Sequence, residues 1–121
     1  KPLSSLMQSL RNDCRPMSAC FIYVTASGSE EARRIGRALV EARLAACANV
    51  IDRVTSVYWW RGEVQEDDEA VLIAKTREDL VDDLTAKVKE LHSYECPWVV
   101  ALPVTGGNAD FLDWIESETR R

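Results

Sequence analysis

The run CANVIDRVTSVYWWRGEVQEDDEAVLIAKT, residues 47–76, decides the fold. Its first half, Cys47 to Trp60, is dense in β-branched and aromatic residues. The second half, Val64 to Thr76, returns to the same chemistry, and Arg61-Gly62-Glu63 between them offers a turn. The two halves therefore read as one antiparallel hairpin. Each arm is long enough to run well past the usual five or six residues of a strand. Arms of that length overhang a small sheet and leave hydrogen-bonding edges bare. Either the tip is twisted and charged against pairing, or a second subunit covers it. The aromatics Tyr58, Trp59 and Trp60 near the tip favour cover by a subunit.

On the N-terminal side, CFIYVTA (20–26) is a short apolar strand closed by Ser27-Gly28-Ser29. SEEARRIGRALVEARLAA (29–46) follows as a helix, with Ser29 as N-cap and Glu30 and Glu31 at the positive end of the helix dipole. Ala32, Ile35, Ala38, Leu39 and Ala42 recur at three- and four-residue steps and make its buried face. Arg33, Arg34 and Arg37 lie mostly elsewhere and read as an ion-paired, solvated side. After the hairpin, Thr76 is expected to cap a second helix with Asp79 three residues on, and Leu80, Leu84, Val88 and Leu91 supply its stripe. PWVVALPV (97–104) is a last strand, and a closing helix starts at Asn108 with Phe111, Leu112 and Ile115 on its apolar side. The order is β-α-β-β-α-β plus one helix. That predicts an α+β, ferredoxin-like sandwich with a long β2–β3 hairpin.

Composition narrows the function. The 121 residues suffice for one domain, and no apolar run approaches the roughly 18 residues of a membrane span. Fifteen basic residues against 20 acidic give a net charge of −5, a poor surface for a phosphate backbone, so neither nucleic acid nor membrane is an expected partner. The four cysteines, Cys14, Cys20, Cys47 and Cys96, form no CxxC pair and no zinc-ligand spacing, and read as reduced thiols. Residues 1–18, rich in Ser, Leu and Arg, read as a tail: a targeting remnant, an expression scar or an upstream extension. The domain proper is expected over 19–121, in the cytoplasm, or in an organelle if the tail is a targeting remnant.

Chemistry-bearing residues are few. The acidic run Glu66-Asp67-Asp68-Glu69 lacks the alternating ligands and Gly of an EF-hand, and on a strand alternate acids point to opposite faces. Tyr58 and Trp60 share one strand face while Trp59 takes the other. Without a basic surround, these three predict a subunit interface better than a stacking platform. Lys75, Tyr94 and Glu95 fall at element ends that this topology can gather into a polar cleft at a subunit boundary. The single histidine has no evident nucleophile and acid partner, and VTASGSEEA carries no arginine for an anion-binding catalytic loop, so no enzyme is expected.

RLAACANVI, SVYWWRGEVQEDDE, AKT, HSYECP and ALPVTGGNADFLDWI, in that order across residues 20–116, resemble the CutA family. The resemblance implies a tight homotrimer with interlocking hairpins and an architecture similar to the PII signalling proteins, which bind small ligands in intersubunit clefts. It also implies divalent-cation tolerance and copper binding. The copper ligands of bacterial relatives are a cysteine late in the first strand, a histidine before the last strand, and a glutamate just after the proline there. Here Val24 or a neighbour stands in the cysteine position, Trp98 in the glutamate position, and Ser93 in place of a proline. Only His92 matches. Cys96, soft and suited to Cu(I), and Glu95 are the nearby substitutes, so His92, Glu95 and Cys96 are the candidate ligands for copper or another divalent cation. Pro97 disfavours helix at Cys96, which weakens the i, i+4 pairing of His92 with Cys96. The expectation is a non-enzymatic homotrimer with weak or atypical metal binding. The alternative is a PII-like sensor or scaffold that binds a small molecule or partner protein at intersubunit clefts.

Overall fold

The computed structural model describes residues 18–120. The expected tail lies outside them except for Ser18. The chain runs β1 (Ala19–Ala26), α1 (Ser29–Glu41), β2 (Cys47–Trp60), β3 (Glu63–Arg77), a single 3₁₀ turn (Glu78–Leu80) leading into α2 (Val81–Leu91), β4 (Val99–Pro103) and α3 (Ala109–Glu118). The strands form one sheet in the order β2-β3-β1-β4, every neighbour antiparallel. This is the predicted ferredoxin-like arrangement.

Period-two alternation sorts β1 cleanly. Cys20, Ile22, Val24 and Ala26 face Ala32, Ile35 and Leu39 of α1 and Leu84 and Val88 of α2 in one buried cluster. Gly36 lets α1 lie close to the sheet, because a Cβ there would stand 3.0 Å from Leu72 Cδ1. The opposite face carries Phe21, Tyr23, Ile73 and Lys75, with Val100 and Leu102 half exposed on β4. Helix α3 lies against β3 and β1 and buries Ile115 completely.

Four local readings are corrected. Thr76 does not cap a helix. It is a β3 residue paired with Cys20, fully buried, and its hydroxyl donates to the Leu44 carbonyl at 2.7 Å. Ser29 is the first residue of α1, not its cap: Gly28 holds the cap position, and the Glu31 carboxylate turns back to the Ser27 N–H. Helix α1 stops at Glu41, five residues short of the expected end, and Arg43 takes a left-handed backbone (φ 62°) held by an ion pair to Glu118 at 2.8 Å. The last strand is shorter than its apolar run, starting at Val99 rather than Pro97.

The hairpin is as long as expected. Arg61 and Gly62, at φ 51° and 83°, form a two-residue turn of the twist that matches the strands, and pairing runs from Trp60↔Glu63 inwards. Since β1 ends opposite Ala70, the arms beyond Val54 and Glu69 project past the sheet by about 20 Å. At the base of the overhang sits a bulge. Ile51 pairs with Val71 but Val54 pairs with Glu69, so β2 carries one extra residue. That residue reverses the alternation of β2. Before it Cys47, Asn49 and Ile51 share the face turned away from α1 and α2; after it Val54, Ser56, Tyr58 and Trp60 do.

Candidate functional site

The segment His92–Trp98 leaves α2, rounds the end of β1 and enters β4, which brings it against the base of the hairpin. His92 is anchored at both ring nitrogens. Nε2 lies 2.7 Å from the Thr25 carbonyl, and Nδ1 lies 3.0 Å from the Tyr94 backbone nitrogen. A carbonyl can only accept and a peptide N–H can only donate, so Nε2 carries the proton and Nδ1 does not. The imidazole is buried and has no lone pair left over. It can ligate a metal only by giving up one of these bonds.

Behind it, Glu31 of α1 ties the turn after β1 to the segment after α2. Its carboxylate accepts from the Ser27 N–H at 2.9 Å, the Ser27 hydroxyl at 2.8 Å and the Ser93 N–H at 2.7 Å. Burial pushes its pKa up, but these hydrogen bonds from Ser27 and Ser93 outweigh that and lower it to about 2. Arg34 Nη2 stands 3.7 Å from the same carboxylate. The segment is thus pinned to the fold by an acid held in its charged form at neutral pH.

Beyond His92 the chain turns outward. The Tyr94 ring packs on His92 with centroids 4.5 Å apart, and its hydroxyl donates to Glu69 Oε2 across the end of β1. Burial, and then the Glu69 carboxylate, drive the Tyr94 hydroxyl far above the ordinary range, so it remains a donor. Glu69 itself is 5% exposed, and its other oxygen, Oε1, has no partner. Tyr58 donates to Asp67, and the Tyr58 ring meets Trp98 edge-on at 5.1 Å and 85°. Between the hairpin and this segment lies a cleft of about 350 Å³. Its aromatic walls are Tyr58, Trp60, Tyr94 and Trp98; its acids are Asp67, Asp68, Glu69 and Glu95, with Cys96 beside them.

The expected groupings are therefore partly met. Tyr94 and Glu95 line the cleft, and Tyr58 and Trp60 join them, while Trp59 faces away and is 73% exposed. Lys75 is not among the lining residues. It sits six residues from Glu69 along β3, about 20 Å, where its ammonium contacts Asn49 and lies 5.4 Å from the Phe21 ring centre. Among the described residues no three His, Cys, Asp or Glu side chains are placed to hold a metal ion, so His92, Glu95 and Cys96 do not converge within one subunit. His92 points inward and Cys96 is exposed. Glu69 and Trp98 were missed as lining residues. The alternation of β3 did put Glu69 on the cleft face, but nothing local joined it to Tyr94, 25 residues on.

Comparison with known proteins agrees with this architecture throughout. The family described as CutA1 divalent ion tolerance protein matches residues 20–118. A "Divalent-cation tolerance protein CutA" from Thermus thermophilus is 46% identical over 98 residues, covering 81% of this chain and 95% of that protein. The chloroplastic "Protein CutA 1" of Oryza sativa is 41% identical over 117 residues, 97% of this chain; the chain spans 66% of that relative's length. Among solved structures, the CutA1 crystal structure from Oryza sativa superposes with a TM-score of 0.83 at 44% identity, covering 86% of this chain and 95% of that one. The Thermus thermophilus structure gives 0.82 at 44% identity, covering 84% and 99%. Sheet order, overhanging hairpin and closing helix thus come with sequence identity over nearly the whole described domain, and the chain belongs to the CutA1 divalent ion tolerance family.

Proposed function

We propose that this chain is the non-enzymatic subunit of a homotrimer serving divalent-cation tolerance, and that it holds metal only weakly, at the exposed Cys96 and Glu95 rather than through His92. The observation that carries the metal part is the engagement of both His92 nitrogens by backbone groups. Self-assembly is supported by apolar surface that a lone subunit leaves in water. Ile51, Val100 and Leu102 on the sheet face are 45%, 54% and 50% exposed, and Val57 and Trp59 near the hairpin tip are 63% and 73% exposed. The absence of catalysis is supported by the occupation of the chain's one histidine in holding its own loop. Residence in the cytoplasm is proposed, or in an organelle if residues 1–18 are a targeting remnant, a possibility that the chloroplastic naming of two plant relatives supports.

A titration of metal-stripped protein with Cu(I) and Cu(II), beside His92→Ala and Cys96→Ser, tests this. Weak binding that survives His92→Ala and falls in Cys96→Ser is expected. Sub-micromolar binding abolished by His92→Ala would overturn the assignment.

A second reading, a small-molecule or partner-protein sensor working at subunit boundaries, is favoured by the cleft itself. At about 350 Å³ it lies within the range of small-molecule sites, roughly 300–1,000 Å³, and its walls divide between four aromatic rings and four acids.

A further inference from the structure

The aromatic walls and the carboxylates of the cleft are suited to opposite ends of the same kind of ligand. We propose, resting on the small-molecule reading of this cleft, that its ligand is a short aliphatic organic cation bearing N–H donors, a protonated diamine or alkylguanidine. Three features of the cleft carry it.

The first is Glu69. It is 5% exposed at the cleft, one carboxylate oxygen takes the Tyr94 hydroxyl, and the other has no partner. A buried acceptor without a donor is costly, and an acid among acids is relieved only by a donor that also brings positive charge. The tyrosine hydroxyls on Glu69 and Asp67 donate hydrogen but neutralise nothing.

The second is the arrangement of the rings. Tyr58 and Trp98 stand perpendicular at 5.1 Å, so they meet as adjoining walls rather than as a stack. Aromatic faces attract organic cations through the ring quadrupole, and the N–H donors of such a cation suit the carboxylates beside them, whereas a small metal ion needs converging ligand atoms, which are not gathered among the described residues.

The third is Arg61. Its guanidinium carbon lies 5.3 Å from the ring centre of Trp60, and its Nη2 lies 3.7 Å from Glu95. Both Trp60 and Glu95 line the cleft. The chain's own guanidinium therefore already bridges an aromatic ring and a carboxylate at the rim. It shows that the rim accommodates an alkylguanidinium, and it makes Arg61 a resident competitor for the ligand.

The test is calorimetry and tryptophan fluorescence on the assembled, full-length protein, titrated with putrescine and with agmatine. 1,4-Butanediol serves as the neutral counterpart of putrescine, and tetramethylammonium as a cation without N–H. Saturable binding of the amines at one site per subunit is expected, with butanediol and tetramethylammonium at least about tenfold weaker, because neither offers Glu69 a charged N–H donor. Glu69→Gln and Trp98→Ala should each weaken putrescine about tenfold, and Arg61→Ala should tighten it severalfold. Equal binding of butanediol and putrescine would overturn the cationic class while leaving a small-molecule cleft in place. No heat or fluorescence change with any of the four, from protein of trimer mass, would remove both readings. Unchanged putrescine affinity in Glu69→Gln would also overturn the proposal, and Trp98→Ala answers the same question if Glu69→Gln fails to fold.

Discussion

His92 is the residue at which chemistry and architecture compete. Its ring closes two backbone hydrogen bonds in a buried place, so removing it leaves the Thr25 carbonyl and the Tyr94 N–H without partners. His92→Ala should cost about 2–4 kcal/mol in urea unfolding, with no loss of weak copper affinity. Glu31 makes a complementary prediction. Its carboxyl is lowered from 4.5 to about 2, so the folded state favours the charged form and gains stability at any pH above the unfolded value. That gain, on the order of 3 kcal/mol, is lost as pH falls from about 4.5 towards 2. Wild-type protein should therefore lose more stability across this window than Glu31→Gln, which already lacks the charge. Parallel urea curves for the two proteins from pH 5 to pH 2.5 would contradict the hydrogen-bonding account.

At the scale of elements, the hairpin depends on two small features. Gly62 occupies the second turn position at φ 83°, where a side chain is strained, and Gly62→Ala should destabilise by about 1 kcal/mol by thermal melting. The bulge between Ile51 and Val54 matters more for function, because it absorbs the extra residue and so keeps Tyr58 and Trp60 on the cleft face. Deleting Arg53 should remove the extra residue and leave Val54 opposite Glu69, so Tyr58 and Trp60 keep the cleft face with regular pairing throughout. The expected result is a folded subunit that retains the response of its tryptophan fluorescence to cleft ligands. Loss of that response would show that the distal hairpin does not hold the register described. Helix α3 is set by a simpler device, the Asn108 side chain accepting from the Asp110 N–H at 2.9 Å.

For the whole molecule, the exposed sheet face and the hairpin overhang both support the proposed trimer, in which neighbouring subunits would cover them. The mass in solution should be three times 13.6 kDa at micromolar concentration. Trp60→Asp should weaken assembly by forcing a charge into a desolvated boundary, and Leu102→Glu should do so from the other edge of the sheet. A mass of 13.6 kDa for the unmodified protein would refute the trimer, and a Trp60→Asp trimer with unchanged melting would place Trp60 outside the boundary.

Element order, sheet class and hairpin were legible in the residues because alternation, helical periodicity and turn residues are local signals that survive without neighbours. So was the pairing of Tyr58 with Trp60 on one face, since that follows from strand geometry alone. The rest required three dimensions. Thr76 carries the sequence of a helix cap, yet it lies in β3 because a strand partner and the Leu44 carbonyl compete for it. His92 and Cys96 are four residues apart and looked like a ligand pair, but a buried backbone carbonyl 67 residues away claimed one ring nitrogen. Lys75 and Tyr94 are expected from sequence at converging element ends, but Lys75 lies inside β3 opposite Phe21, away from the loop that carries Tyr94. Which polar atoms are spent inside the fold and which are left without a partner is set by contacts distant in sequence, as the buried, unpartnered oxygen of Glu69 is. No local pattern encodes those contacts.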